Sequence, residues 1–546
     1  MHSNIGLSTQ GSPTSQRFVA WLQSSRSWNT LLIIGVAVVA AVVRFWNFRS
    51  LGFSHWDEAY FLSDAYRISA HWPRGFVSIG WVTAPLVAYT DGTLFRFLGN
   101  HDWIPLAVSA TYGTLSAVAL YFLASRLFGN AVGLIAGAVL ATAEFSVMFS
   151  RMALADATFN FWLITTVLFV WLGFTRKRML FYVLAGVSAG ILLNTKYNGL
   201  FPLILAASWL VAELLLEVIG RPEDRRVVVS EYRLRIVGTM VMFGLALALF
   251  LPFLIKIAIN PGLGFIVTYD ASFGSHTLIK TSPKIILWYY WLWTSPPTVL
   301  VAAAGIAVGI VRFTRADRLM LIYTAGMFVA LMLFAPYPRE GLSLLPAVAI
   351  WAGRAVVEAW KLVRTSVPRV PFAAAAVSAA CALAILLGQL VPLPHMLSLR
   401  TKGYADAGVI AAKYQSVGAS IFARTQANAS LYVNNQFTLR PVASVERLLD
   451  QKACTVVFMT DQTLTWYPEL QAFFDLNRDH VVVVDKVPNP LYPEVLLQPA
   501  TEAGLAQLDD PPDAFRYITF WRVTGPLQYP PSWPQSTASP TATAQC

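Results

Sequence analysis

The chain is 546 residues long, 56% hydrophobic and 13% charged, with a formal net charge of +11 and a mean hydropathy of +0.55. A soluble protein of this length carries about twice that charged fraction, so a soluble enzyme is excluded, and repeated apolar runs of about 20 residues define a polytopic helical membrane protein. The three cysteines, Cys381, Cys454 and Cys546, are too few and too scattered for a disulfide framework or a zinc site.

Residues 1–28 are a polar lead containing Arg17 and Arg26. This does not resemble a cleavable signal peptide, so the lead reads as a cytoplasmic segment and the first apolar run as a retained anchor. Apolar runs suited to spanning helices lie near 29–48, 103–125, 130–149, 157–174, 179–195, 198–219, 235–258, 286–311, 318–335, 340–358 and 370–391. They predict about 11 transmembrane helices. Segment 81–98 contains Pro85, Asp91, Gly92 and Arg96 and reads as an interfacial or re-entrant helix rather than a span.

With the N-terminus inside, the inner loops collect Arg126, Arg176-Lys177-Arg178, Arg221, Arg225, Arg226, Arg233, Arg235, Arg312, Arg315, Arg318, Lys361, Arg364 and Arg369. That one-sided distribution is the positive-inside pattern. These residues read as topology signals, and the basic net charge does not indicate a nucleic-acid partner. The same topology places outside the first loop 49–102, the turns around Asp156, Lys196 and Arg339, the loop 259–285 and everything after Val391.

After residue 395 polar helical patterns (405–414, 445–451, 467–474) alternate with β-rich runs at 429–433, 455–459, 481–484 and 517–523. The alternation predicts a small α/β domain over 395–525 with a mostly parallel sheet, following a membrane domain over 29–394. Residues 526–546 are rich in Pro, Ser and Thr and read as a disordered tail.

The chemistry is expected on the outer face. Asp57 and Glu58 follow the first span, with Tyr60 beside them; Arg151 and Asp156 share the next outward turn; Lys196, Tyr197 and Arg339 lie in later ones. Any one of these acids could simply cap a helix, Asp57 (or the nearby Ser54) for a helix running to Tyr66, Asp156 for the next span. Their combination suits transfer from a lipid-linked phosphate: a carboxylate orients or deprotonates an acceptor hydroxyl, and Lys or Arg stabilises charge on the leaving phosphate. Two carboxylates serve equally well to hold a divalent cation, with Asp57 and Asp156 as its ligands, so metal dependence stays open. Trp288-Tyr289-Tyr290-Trp291-Leu292-Trp293 reads as an interfacial aromatic belt, and Pro296-Pro297 should break or kink its helix.

Trp56-Asp57-Glu58-Ala59-Tyr60, Phe149-Ser150-Arg151 with Asp156, and Gly190 with Asn194-Thr195-Lys196-Tyr197 together resemble motifs of the GT-C superfamily of membrane glycosyltransferases, in its protein O-mannosyltransferase and aminoarabinose-transferase branch. Arg339-Glu340-Gly341-Leu342-Ser343-Leu344-Leu345-Pro346 is similar to a late element of that branch, except that Glu340 replaces the usual aromatic residue. The resemblance implies a glycosyltransferase that passes a sugar, with inversion, from a polyprenyl-phosphate donor to a hydroxyl of a protein, glycan or lipid on the extracytoplasmic face of the plasma (inner) membrane. It implies Asp57 as acceptor-side base, with Glu58 and Asp156 orienting substrates or holding a cation. Lys196 would contact the donor phosphate, and Tyr60, Arg151, Tyr197 and Arg339 would complete substrate binding. The rival readings are a transporter or flippase for lipid-linked sugars and an assembly partner. A transporter would more often carry its charges near the midplane of interrupted, repeated helices, and no two-half repeat is evident here.

Overall fold

The computed structural model describes residues 25–54, 57–72, 85–196, 199–259, 282–334, 338–366, 371–423, 456–460, 468–489, 516–525 and 527. Every apolar run named above is mostly helical where described, and two of them divide into separate α-helices. The run 130–149 divides at Ala143 into Asn130–Thr142 and Glu144–Phe149. The run 286–311 divides into Pro283–Trp293 and Pro296–Arg312, with Ser295 between them at φ 86°. Pro296-Pro297 causes the second break, because proline is tolerated only in a helix's first turn, where its missing N–H is not needed.

Seven described helices are long and apolar enough to cross a membrane. Helix Asp156–Arg176, with 21 residues, reaches about 30 Å, the thickness of the hydrocarbon layer. The outward faces carry exposed residues such as Ile34, Val38, Leu215 and Ile219, which suit contact with acyl chains. Gly129 alone connects helix Trp103–Phe128 to Asn130–Thr142; its φ of +100° turns the chain back where another residue would be strained. Helix Pro85–Leu98 is too short to span and packs against helix Glu58–Ala70.

At the end of the bundle bearing the basic loops, several arginines do more than mark a membrane side. Arg318 donates to both oxygens of buried Glu213 at 2.6 and 2.7 Å. Arg354 pairs with Glu358 at 2.9 Å and lies 3.7 Å from Asp317. Arg235 is buried, its guanidinium 4.3 Å from the Phe174 ring and 4.6 Å from Tyr232. A guanidinium among apolar helices needs such partners, since an uncompensated buried charge is strongly unfavourable.

The C-terminal sheet has four described strands, β1 (Ser420–Ala423), β2 (Val456–Thr460), β3 (Val481–Pro488) and β4 (Tyr517–Val523), in the order β1-β2-β4-β3. Helix Gly403–Ser416 covers it, with Tyr404, Ala407 and Ala411 against Ile421, Val457, Met459, Ile518 and Phe520. The expectation of a mostly parallel sheet needs correction. Helix Pro468–Leu476 does return the chain from β2 to β3 in the same direction, but β4 inserts between them and pairs antiparallel with both. Among the described strands the parallel pairing is β1 with β2. The expected strand 429–433 and helix 445–451 lie outside the described residues.

Candidate active site

Four segments distant in sequence converge at the bundle end opposite the basic loops. The first follows helix Ser25–Phe45 and leads through Leu51–Ser54, all buried, to helix Glu58–Ala70. Asp57 precedes this helix without a side-chain capping hydrogen bond; its carboxylate pairs with Arg339. Glu58 is fully buried. One of its oxygens accepts from the Ser54 amide at 2.5 Å and the other from the Ala153 amide at 2.6 Å. It therefore staples the first loop to the second. Tyr60 lies in the first turn of the helix, its side chain outside the described set.

The second segment, 150–155, is held from beneath by two fully buried arginines. Arg151 donates to the carbonyls of Val43, Arg44 and Trp46 at 3.3, 3.2 and 2.6 Å, at the C-terminal end of the first helix, where carbonyls lack intrahelical partners. Arg44 donates to the carbonyls of Ala40, Leu140 and Ala141 at 3.1, 3.1 and 2.9 Å and to Ser146 Oγ at 2.8 Å, bridging the break at Ala143. Arg151, expected in substrate binding, is thus placed in the framework of the site. Asp156 opens helix Asp156–Arg176, where the helix dipole favours a carboxylate.

The third segment is the turn after helix Met179–Leu193. Asn194 fixes it by donating to Gly190 O at 2.8 Å and to Leu249 O at 3.1 Å, and its own carbonyl accepts from Leu86 at the start of helix Pro85–Leu98, also at 2.8 Å. Lys196 projects from this turn and donates to Asp156 Oδ1 at 2.6 Å and to Glu340 Oε1 at 3.0 Å. Tyr197 lies outside the described residues, as do His55 and Trp56.

The fourth segment is the short 3-10 turn Pro338–Ser343. Tyr290 donates to Gly341 O, Tyr323 to Ser343 O at 2.5 Å, and Ser343 Oγ to Glu340 O at 2.7 Å. Tyr289, Tyr290 and Trp293 are buried, whereas Leu287, Trp291 and Leu292 are exposed. The predicted aromatic belt is therefore amphipathic, and Tyr290 on its inner side holds the turn that presents Arg339 and Glu340. Glu340 Oε1 lies 3.9 Å from Arg339 Nε, which joins the two ion pairs into one network.

Burial pulls the Lys196 ammonium down, but Asp156 and Glu340 outweigh it and leave it above the ordinary lysine value. The Arg339 guanidinium is likewise held charged by Asp57, Asp156 and Glu340 against the pull of burial. Asp57, Arg339, Lys196 and Glu340 keep between 11% and 15% of their side-chain surface exposed, so the network is largely buried but not sealed from solvent. Asp57 and Asp156, the candidate cation ligands, each face a basic side chain. Among the described residues no group of three or more His, Cys, Asp or Glu side chains is placed to hold a metal ion.

Sequence reasoning missed Arg44, Glu340 as a network member, and Tyr290 and Tyr323 as supports. The signal for Arg44 was present: an arginine near the end of an apolar run, beside the outer face rather than the inner one.

The sequence model of the dolichyl-phosphate-mannose-protein mannosyltransferase family matches residues 82–223. ArnT from Cupriavidus metallidurans in the apo state has a similar structure, with TM-score 0.58 and 16% identity over 92% of this chain and 99% of that one. The same protein bound to undecaprenyl phosphate gives TM-score 0.58 and 14% identity with the same coverage. The archaeal oligosaccharyltransferase AglB from Archaeoglobus fulgidus, in complex with an inhibitory peptide and a dolichol-phosphate, gives TM-score 0.54 and 14% identity over 81% of this chain and 70% of that one. No curated protein sequence matches. The chain shares the fold of these solved membrane proteins, the fold that its resemblance implied.

Proposed function

We propose that the protein is a membrane glycosyltransferase that moves a sugar from a polyprenyl-phosphate-linked donor to a hydroxyl acceptor. The observation that carries this reading is the network of Asp57, Arg339, Glu340, Lys196 and Asp156, brought from four segments to one partly open site at the helix ends. A transporter's charges would more often lie near the bilayer midplane. The solved examples of the fold that carry undecaprenyl phosphate or dolichol-phosphate support a lipid phosphate as the donor's leaving group.

In this reading the lipid tail lies along the apolar helix faces and its phosphate meets Lys196, with Arg339 behind. Asp57 accepts the proton of the acceptor hydroxyl, and its pairing with Arg339 orients its carboxylate. The acceptor oxygen bonds to the anomeric carbon as the bond from that carbon to the phosphate oxygen breaks. The departing phosphate keeps the electron pair, and attack from the opposite side inverts the centre. The acidic pair thereby divides its work: Asp57 does chemistry, while Glu58 holds the loop that places it. Asp156 aims Lys196. Tyr60 and Tyr197 complete substrate binding.

We place the site on the extracytoplasmic face of the plasma (inner) membrane, with the N-terminus cytoplasmic, because the basic loops lie at the opposite helix ends. Residues 29–394 then form the membrane domain and 395–525 an external one. Thr401 supports a link between them, since its hydroxyl exchanges hydrogen bonds of 3.2 Å with the amide and carbonyl of Gly52 in the first loop. The test is transfer of labelled sugar by purified protein from a panel of polyprenyl-phosphate donors to envelope extract, with and without a chelator. Saturable donor binding without transfer would overturn the enzyme reading.

A further inference from the structure

We infer that the Glu340 carboxylate is a built-in stand-in for the donor phosphate, and that lipid phosphates bind by displacing it from Lys196 and Arg339. The inference rests on the transferase reading above and assigns the regulation of its phosphate site. Its basis is geometry: one oxygen of Glu340 sits 3.0 Å from Lys196 Nζ and 3.9 Å from Arg339 Nε. An anionic oxygen facing an ammonium from one turn and a guanidinium from another is what a phosphate oxygen would be at the same point.

Charge balance favours the exchange. Among the described residues Asp57, Asp156 and Glu340 face Lys196 and Arg339, three carboxylates against two cations. A phosphodiester entering this largely buried site would raise the excess from one negative charge to two. Like charges a few ångströms apart are strongly unfavourable where solvent is scarce. If Glu340 swings away as the phosphate arrives, the excess within the site is unchanged.

The three carboxylates are not equally free to leave. Asp156 is buried and opens a long helix whose dipole favours it. Asp57 holds Arg339 from the start of another helix. Glu340 has the longer side chain and stands on a short turn whose backbone is pinned by Tyr290, Tyr323 and Ser343. A change of side-chain rotamer therefore suffices, and the turn itself need not open. The same competition acts after transfer. The product lipid phosphate carries more negative charge than the diester, and Glu340 returning to Lys196 favours its release.

The experiment measures binding of undecaprenyl phosphate to the full-length protein in detergent, comparing wild type with Glu340→Gln and Glu340→Ala, each checked for a cooperative melt. Removing the competitor should tighten binding about tenfold, the order associated with one partly buried charge partner, and should lower KM while slowing turnover through product release. A carboxylate that merely positioned Lys196 would give the opposite sign. Unchanged or weaker binding in both variants overturns the exchange but leaves the transferase reading standing, provided the wild type binds. Absence of binding by the wild type overturns both.

Discussion

Arg339 and Asp57 form an ion pair across 282 positions of sequence. The pair joins the turn before helix Leu345–Ser366 to the segment after the first helix, and it gives Asp57 a fixed orientation that its own helix does not supply.

Asp57→Asn preserves the shape of that side chain and removes its basicity. Sugar transfer should fall by about 10²–10⁴-fold, the range that a positioned general base contributes, in a variant whose melting temperature stays near that of wild type. Wild-type rates in the folded variant would take Asp57 out of the chemistry.

Glu58→Gln should behave differently, although the residue is adjacent. Both Glu58 oxygens accept backbone amides, and the glutamine NH₂ would meet one of those N–H groups with another donor. The expected cost is about 1–3 kcal/mol of stability, read as a lower melting temperature. Lost activity should accompany the lost stability. A large activity loss with an unchanged melt would instead place Glu58 among the reacting groups.

The pH dependence of the Lys196 network has a definite sign. Asp156 and Glu340 hold the folded-state value above the ordinary 10.5. The pairing therefore contributes fully below the unfolded value and is lost only as pH climbs through the higher folded one. Between pH 7 and 10 the stability difference between wild type and Lys196→Met should stay flat. A difference that shrinks across that interval would mean that the ammonium is deprotonated early.

Asp91 carries linkage of the same sign at lower pH. It is buried in helix Pro85–Leu98, and its Oδ1 finds no hydrogen-bond donor among the described residues. Burial pushes its carboxyl up from 3.8 to about 8. The unfolded chain is thus ionised through a range in which the folded chain holds the proton, and stability falls as pH rises between those values. Asp91→Asn should be more stable than wild type by a margin that grows from pH 4 to about 8, measured as the difference in melting temperature. A margin independent of pH would show the carboxylate to be ionised in the fold.

Much of this was legible along the chain. The apolar runs located the helices because a bilayer leaves the backbone almost no alternative to internal hydrogen bonding. Pro296-Pro297 located a break because the pyrrolidine ring excludes a helix interior. The break at Ala143 was not legible, since no proline or glycine marks it; it is bridged by Arg44, whose partners lie about a hundred residues away. The order of the C-terminal sheet was equally hidden, because local alternation records where strands occur and not which strand slips between two others.

The sequence by itself determined a helical membrane protein with a polar C-terminal domain, a basic end and an opposite end bearing Asp57, Asp156, Lys196 and Arg339. Periodicity, hydropathy and charge placement are properties of neighbouring residues, so they can be read in order. Only the tertiary structure decided which acid meets which base: Asp57 with Arg339, Lys196 between Asp156 and Glu340, and Glu58 and Arg151 turned inward onto backbone. Those choices follow from how helices pack. A buried polar group takes the partner that packing brings within reach, and separation along the chain does not encode that distance.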